Sequence, residues 1–437
     1  MALSTIRVRS LLLLMVILVL AACAPDAAQQ PLQTEPVPSD TPDAPTLEPP
    51  LATETLAPTA PGPQRLAVWW PETLAPLDND TAAEVLSEQL SAFQRENTSV
   101  NVQFRLKRVE DVGGIMSTLR TASAVAPGAL PDLTLLRRDD LLIAAQAGLI
   151  QPLGNRLSPA VLEDLQDVAI ELGSIGGELY GLPYTLEVLH VAYPPSTAVL
   201  PATSYDVLLS ERVPFVFPAG RTSGINNVLL LQYLAGGGAL SDTGTLVVDA
   251  GALQSTLAFY EQAVELGVVD PSVLEYVRPS DYIGLMASAD TGLGAVSSNL
   301  YLELVDSGID LRAAAIPTES GHPQTVVDGW MWVLTTSDAD RQTQALRFLN
   351  WMLDANRQAS YTSVIHMLPS QRTALRQLGY PEYVTFVSEL FDNAILPLTE
   401  TESGAAARAM QTALASVLTG QRTAEEATRD VINQLNS

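Results

Sequence analysis

Hydrophobic spacing along the chain alternates between two periods. Leu66-Ala67-Val68-Trp69-Trp70-Pro71 is an unbroken apolar run and reads as a buried strand. Apolar residues then recur at helical spacing, Ala83, Leu86, Leu90 and Phe93, before Val102, Phe104 and Leu106 mark one face of a strand from Val100 to Val109. Ile115, Leu119 and Ala122 predict a second helix, and Pro131 to Leu136 a third strand that ends in Arg137-Arg138-Asp139-Asp140. Gly176-Gly177 and Gly181 supply the positive φ of tight turns, so the pieces around them read as a turn that leads into a long apolar strand ending at Tyr193. Further on, Pro214 to Pro218, Leu246 to Asp249, Thr291 to Val296 and Val326 to Leu334 read as strands, interleaved with helices near 225–234 and 253–266. From Asp338 onward everything reads as helix, with Gly420 as a stop and Thr423 as an N-cap near the end.

Strands alternating with amphipathic helices predict an α/β fold, and 437 residues exceed what one core organises, so two lobes are expected. No Pro/Ser linker separates them. The stretch from Gly176 to Tyr193 therefore reads as the first crossing between lobes, and Glu187 falls where they meet, a costly place for a carboxylate without a task.

The N-terminus departs from this pattern. Arg7 and Arg9 precede the apolar run Leu11 to Leu20, which closes with Ala21-Ala22-Cys23 around the only cysteine of the chain. This resembles a bacterial lipobox, which implies removal of residues 1–22 and lipidation of Cys23; a lone cysteine also leaves no internal disulfide. Residues 24–64 are Pro, Thr, Ala and acidic residues without one basic side chain, so 23–65 reads as a lipidated cysteine and a disordered tether. A formal net charge of -26 argues against nucleic acid and anionic head groups as partners, leaving the lipid anchor as the expected link to a membrane.

The order of pieces in the folded part carries a resemblance. The Trp-ending first strand, Pro131-Asp132-Leu133, Gly148-Leu149-Ile150 with Pro152-Leu153, Leu179-Tyr180-Gly181-Leu182-Pro183-Tyr184, Gly329-Trp330, and Leu418 to Ala427 together resemble the extracellular solute-binding proteins of ABC importers. The branch is the one that includes the maltose-binding protein. The resemblance implies a two-lobed periplasmic-binding-protein fold of type II, each lobe a mixed sheet flanked by helices, with about three crossings and a helical C-terminus. On it, residues 66–184 plus about 297–325 form lobe 1, and 185–296 plus about 326–437 form lobe 2. It also implies a monomer that captures a small solute, a sugar or oligosaccharide, and delivers it to the transmembrane subunits of an ABC permease at the outer side of the cell membrane. No cofactor, metal or catalysis is expected.

Candidate binding residues follow from chemistry as well as resemblance. Trp69 and Trp70 leave the first strand at the end where open α/β sheets bind ligands, and a sugar's C–H face stacks on an aromatic plane; packing in the core is the competing role. Tyr184 and Trp330 stand under the same two readings, and Tyr301 is the nearest substitute for a tryptophan that the family often carries. Asp139 and Glu187 fall where the maltose-binding branch accepts hydrogen bonds from sugar hydroxyls. The alternatives are a helix N-cap for Asp139 and an ion pair, with Arg221, for Glu187. Arg221, together with Arg137 and Arg138, keeps open an anionic or other polar solute, and a binding protein that feeds a sensor is a further reading. Fewer stacking aromatics than the family pattern point to a smaller or more polar solute. An enzyme is the rival class, with Asp139 and Glu187 as the paired carboxylates of a glycosidase. Against it, His190, His322 and His366 have no metal-ligand spacing, and no nucleophile elbow is present.

Overall fold

The computed structural model describes residues 63–75, 79–197, 204–220, 224–241, 244–286 and 292–437. Cys23, the leader before it, nearly all of the tether and Arg221 lie outside the described residues.

The first strand, Gln64–Pro71, pairs in parallel with Val100–Lys107 on one side and with Leu133–Leu136 on the other. All six residues from Leu66 to Pro71 are buried, as a parallel strand covered on both faces requires. Next to Leu133–Leu136 lies Thr325–Leu334, antiparallel, and beyond it the 13-residue strand Gly181–Tyr193. Up to Val188 this central strand pairs with Thr325–Leu334; from Leu189 it pairs instead with Leu293–Ser297, while Arg312–Ala314 pairs along its end. Phe215–Val216 closes the far edge. One strand thus belongs to both halves of a curled mixed sheet, which is the expected two-lobed α/β architecture.

Three apolar clusters fill this frame. One gathers Leu66, Trp70, Tyr184, Trp332, Phe348 and Tyr361. Trp70 stands at its centre, with the rings of Phe104, Tyr184, Trp332 and Tyr361 between 5.4 and 5.9 Å away, mostly edge-on. A second joins Val191, Phe215, Tyr260, Leu293 and Ile316 to Met410 and Val431 of the last two helices, Glu400–Leu418 and Ala424–Leu435. The third lies on the other face of the shared strands, with Leu186, Val188, Met331 and Val333.

These clusters correct the lobe boundaries expected from sequence. Residues 330–367 pack with 66–184, because Thr325–Leu334 inserts between Leu133–Leu136 and the central strand. Leu293, Ala295, Ala314 and Ile316 pack with 191–273, joined by Val326 and the last two helices, whereas Val296, Tyr301, Leu302, Leu304 and Leu311 pack with Leu136, Leu141 and Leu186 in the third cluster. The all-helical reading beyond Asp338 is also corrected: Leu368–Pro369 and Ala394–Ile395 add short strands to the central and return strands. Thr423 does cap the last helix, through a capping box with Glu426.

Candidate functional site

A cleft of about 620 Å³ opens where Leu133–Leu136 ends, between the two halves. Its floor is built from three neighbouring strand segments. Arg137 follows Leu136, Glu187 lies on the central strand, and Asp328 on the return strand is the ladder partner of Glu187. Arg137 donates through Nε and Nη2 to Asp328 Oδ2, at 3.1 and 2.6 Å, and through Nη1 to Glu187 Oε1 at 3.1 Å. Burial works against the guanidinium charge, but Asp328 and Glu187 outweigh it and hold the pKa of Arg137 above the ordinary arginine value. Asp328 is itself fixed, since its Oδ1 accepts the N–H of Gly329 at 2.7 Å. Gly329 has to be glycine: a Cβ there would lie 2.1 Å from the carbonyl oxygen of Thr185.

The facing wall comes from the second half. Asn226 and Asn227 stand at the start of the helix Asn227–Ala235, and Ser297 and Asn299 at the start of Ser298–Asp306. Asn226 caps its helix through Oδ1 to the N–H of Leu229, while its own N–H and Nδ2 donate to Gln411 Oε1 at 3.1 and 3.0 Å. Gln411 in turn donates to the carbonyl of Ala219, so a helix near the C-terminus sets one edge of the cleft. Arg278, Ser280 and Glu303 complete a lining of guanidinium, amide, hydroxyl and carboxylate groups.

The residues singled out from sequence divide. Glu187 lines the cleft, and its ion-pair partner is Arg137; Arg221 lies outside the described residues. Asp139 is exposed in the first turn of Arg138–Gln146, whose N-cap is Arg137, so the N-cap reading of Asp139 is corrected. Arg138 turns away, donating to the carbonyl of Leu172 at 2.8 Å. Trp70 and Tyr184 are corrected as well: both are fully buried in the aromatic cluster and offer no face to a ligand. The two tryptophans are adjacent and point to opposite faces of a strand covered on both, which explains why neither is open. Trp69 is 4% exposed, with the ammonium of Lys107 4.5 Å from its ring centre. Trp330 is equally buried, 5.7 Å below the guanidinium of Arg137, and so supports the cleft floor.

Tyr301 belongs elsewhere. It lines a second cavity, also about 620 Å³, with Tyr193, Tyr380, Tyr383 and Phe386. Its ring stacks on Tyr383 at 4.5 Å, and its hydroxyl donates to the carbonyl of Leu311. Behind them His190 is fully buried. Its Nδ1 meets the carbonyl of Val191 at 3.0 Å and must donate, so Nε2 accepts from the hydroxyl of Tyr383 at 2.9 Å. Burial pushes the pKa of His190 down to about 4.

Sequence reasoning missed Asp328, Asn226 and Asn299. Asp328 carried a usable signal, because it is the single charge inside a ten-residue apolar strand, the same feature that made Glu187 stand out. Among the described residues no group of His, Cys, Asp or Glu is arranged to hold a metal ion, and no helix is long and apolar enough to cross a membrane.

Residues 88–384 match the sequence profile of a family described as bacterial extracellular solute-binding protein. No curated protein matches the chain in sequence. Among solved structures the chain is similar to the cyclic alpha-maltosyl-1,6-maltose binding protein from Arthrobacter globiformis, at 17% identity and a TM-score of 0.68, over 86% of this chain and 98% of that one. A cyclo/maltodextrin-binding protein complexed with maltotetraose gives 18% identity and 0.67, over 86% and 98%. An ABC transporter solute-binding protein from Thermotoga lettingae bound with α-D-tagatose gives 18% and 0.61, over 85% and 99%. At such identities the likeness is one of fold.

Proposed function

From the premise that this chain belongs to the bacterial extracellular solute-binding proteins, we propose that it captures a sugar or short oligosaccharide in its interlobe cleft and hands it to the transmembrane subunits of an ABC permease. The observation that carries this reading is the lining. Side chains from both halves converge on one cavity, and they offer both donors and acceptors, which is what a molecule made of hydroxyl groups needs. The neighbours of known structure include proteins that hold maltotetraose and tagatose.

Glu187 and Arg137 bind from the first half, Arg278 and Asn299 from the second, with Asn226 fixing the helix start beside them. Ligand held by one half first favours the closed form, in which both halves touch it, and the closed form is what the permease recognises. Membership of this family places the folded part outside the cytoplasm. Cys23 anchors it through a lipid, and the Pro/Thr-rich segment up to residue 65 gives it reach as a monomer. A glycoside-cleaving role is disfavoured, because of its two candidate carboxylates only Glu187 lines the cleft, ion-paired to Arg137, while Asp139 is exposed on the helix Arg138–Gln146 and is not part of the lining.

The test is a thermal-shift panel of monosaccharides, polyols and malto-oligosaccharides, followed by calorimetric titration of the hits and scattering with and without ligand. A ligand that binds only the folded chain raises its melting temperature, and closure contracts the scattering profile. A panel in which no sugar raises the melting temperature, while an anionic solute does, overturns the sugar assignment.

A further inference from the structure

The second cavity, about 620 Å³, has the size of a small-ligand pocket and shares no lining residue with the cleft among the described residues. The helix Ser298–Asp306 serves both from opposite faces: Asn299 and Glu303 line the cleft, Tyr301 and Val305 the second cavity. Three segments far apart in sequence supply the rings. Tyr193 ends the central strand, Tyr301 sits on that helix, and Tyr380, Tyr383 and Phe386 surround the start of Pro381–Phe391. Tyr301 and Tyr383 are stacked on each other and held by their hydroxyls, so they make a fixed wall. Tyr380 and Phe386 are half-buried and keep part of their surface open.

Charge sets what these rings can hold. The lining carries two carboxylates, Asp310 and Glu382, and one guanidinium, Arg312, whose Nη1 lies 3.1 Å from Asp310. Arg312 is thus compensated, while Glu382, exposed in the first turn of Pro381–Phe391, has no hydrogen-bond or ion-pair partner among the described residues. Both carboxylates act on the ring wall: burial pushes the hydroxyl of Tyr301 up to about 12 against the pull of Arg312, and Tyr193, Asp310 and Glu382 add to the rise. An anion would meet those carboxylates first. A primary ammonium would leave N–H groups without a lone pair to bond among the rings. A quaternary ammonium has no N–H to satisfy, and it spreads its charge over methyl groups that pack on aromatic faces, with Glu382 to balance it. We propose that this cavity is a second binding site, for a free quaternary ammonium compound. A lipid head group fits it less well, because the phosphate would lie beside Asp310 and Glu382.

The test is titration calorimetry on the full chain with choline, tetramethylammonium and the neutral isostere of choline in which carbon replaces the nitrogen. Both cations are expected to bind, and choline about tenfold or more tighter than its isostere. Tyr380→Leu, which removes a half-buried ring, should weaken choline about tenfold, and Glu382→Gln about threefold, both at an unchanged melting temperature. Glu187→Gln, in the cleft, should leave choline binding as it is. Failure of both cations to bind overturns the proposal. So does equal binding of the isostere, which leaves an apolar cavity only. A loss in Glu187→Gln with none in Tyr380→Leu overturns it by moving the cation to the cleft. Binding to phosphatidylcholine vesicles without binding of free choline overturns the assignment to a free solute.

Discussion

Two cavities of the same volume, about 620 Å³ each, both carry charged groups but differ in their aromatic lining. The cleft is lined by Arg137, Glu187, Asn226, Arg278 and Asn299, and no aromatic ring lines it among the described residues. The other, beside Ser298–Asp306 and the helix Pro381–Phe391, is walled by four tyrosines and a phenylalanine, with Asp310, Arg312 and Glu382 among its remaining lining residues. Of the aromatic residues that sequence reasoning sought in the cleft, Tyr301 packs here on Tyr383 and His190, while Trp70, Tyr184 and Trp330 pack in the core cluster around Trp332. Size and rings therefore do not identify the sugar site here. The sugar site we propose rests instead on its position at the strand ends and on a polar lining drawn from both halves.

The comparison is broken or sharpened most strongly by Tyr383→Ala. It removes a ring stacked on Tyr301 and the partner of His190, and should cost about 3–5 kcal/mol of stability in chemical denaturation, with sugar affinity unchanged. A loss of sugar affinity of the same size would place the aromatic cavity in the sugar-binding machinery. Acid should act on the same side of the molecule. Below pH 6.5 the unfolded chain protonates His190, while the folded chain resists until about pH 4. Unfolding thus takes up a proton in that window, and stability that is complete above pH 6.5 falls by up to roughly 3 kcal/mol as pH drops through it. Urea titrations of wild type and His190→Gln at pH 7.5 and 4.5 check this; an equal pH response in both removes the contribution of His190.

On the cleft side, Arg137→Met should weaken ligand binding by about 1.5–3 kcal/mol, the worth of hydrogen bonds to a charged group, and also lower the melting temperature, because Glu187 and Asp328 are left as unpaired neighbouring carboxylates. Glu187→Gln comes last, at about 1–2 kcal/mol in affinity with the melting point hardly moved. Calorimetry and melting on one sample separate the possibilities. A lower melting point at constant affinity makes Glu187 a structural partner of Arg137, and no change in either removes it from the site.

Much of the fold was legible. The 64–71, 100–107 and 133–136 strands announced themselves by period and burial, and the crossing at Gly181–Tyr193 by its glycines and its apolar run. The lobe boundaries were not, because the insertion of Thr325–Leu334 beside Leu133–Leu136 is decided by pairing partners far apart in sequence, about which local spacing is silent. Glu187 was legible as an isolated charge in an apolar strand. The tryptophans misled, since a ring at a strand end says nothing about whether helices cover both faces of its sheet.

The insertion of that late strand also sets an order of events for the chain as it is made. Leu133–Leu136 and the central strand share no partner until Thr325–Leu334 arrives between them, and the second half lacks part of its core until Glu400–Leu418 and Ala424–Leu435 pack against Ala250–Glu265. Neither lobe can finish on a partial chain, and pairing across such separations is slow once the chain is complete. A polypeptide emerging N-terminus first therefore presents both halves short of a segment that completes them until its last helices have appeared.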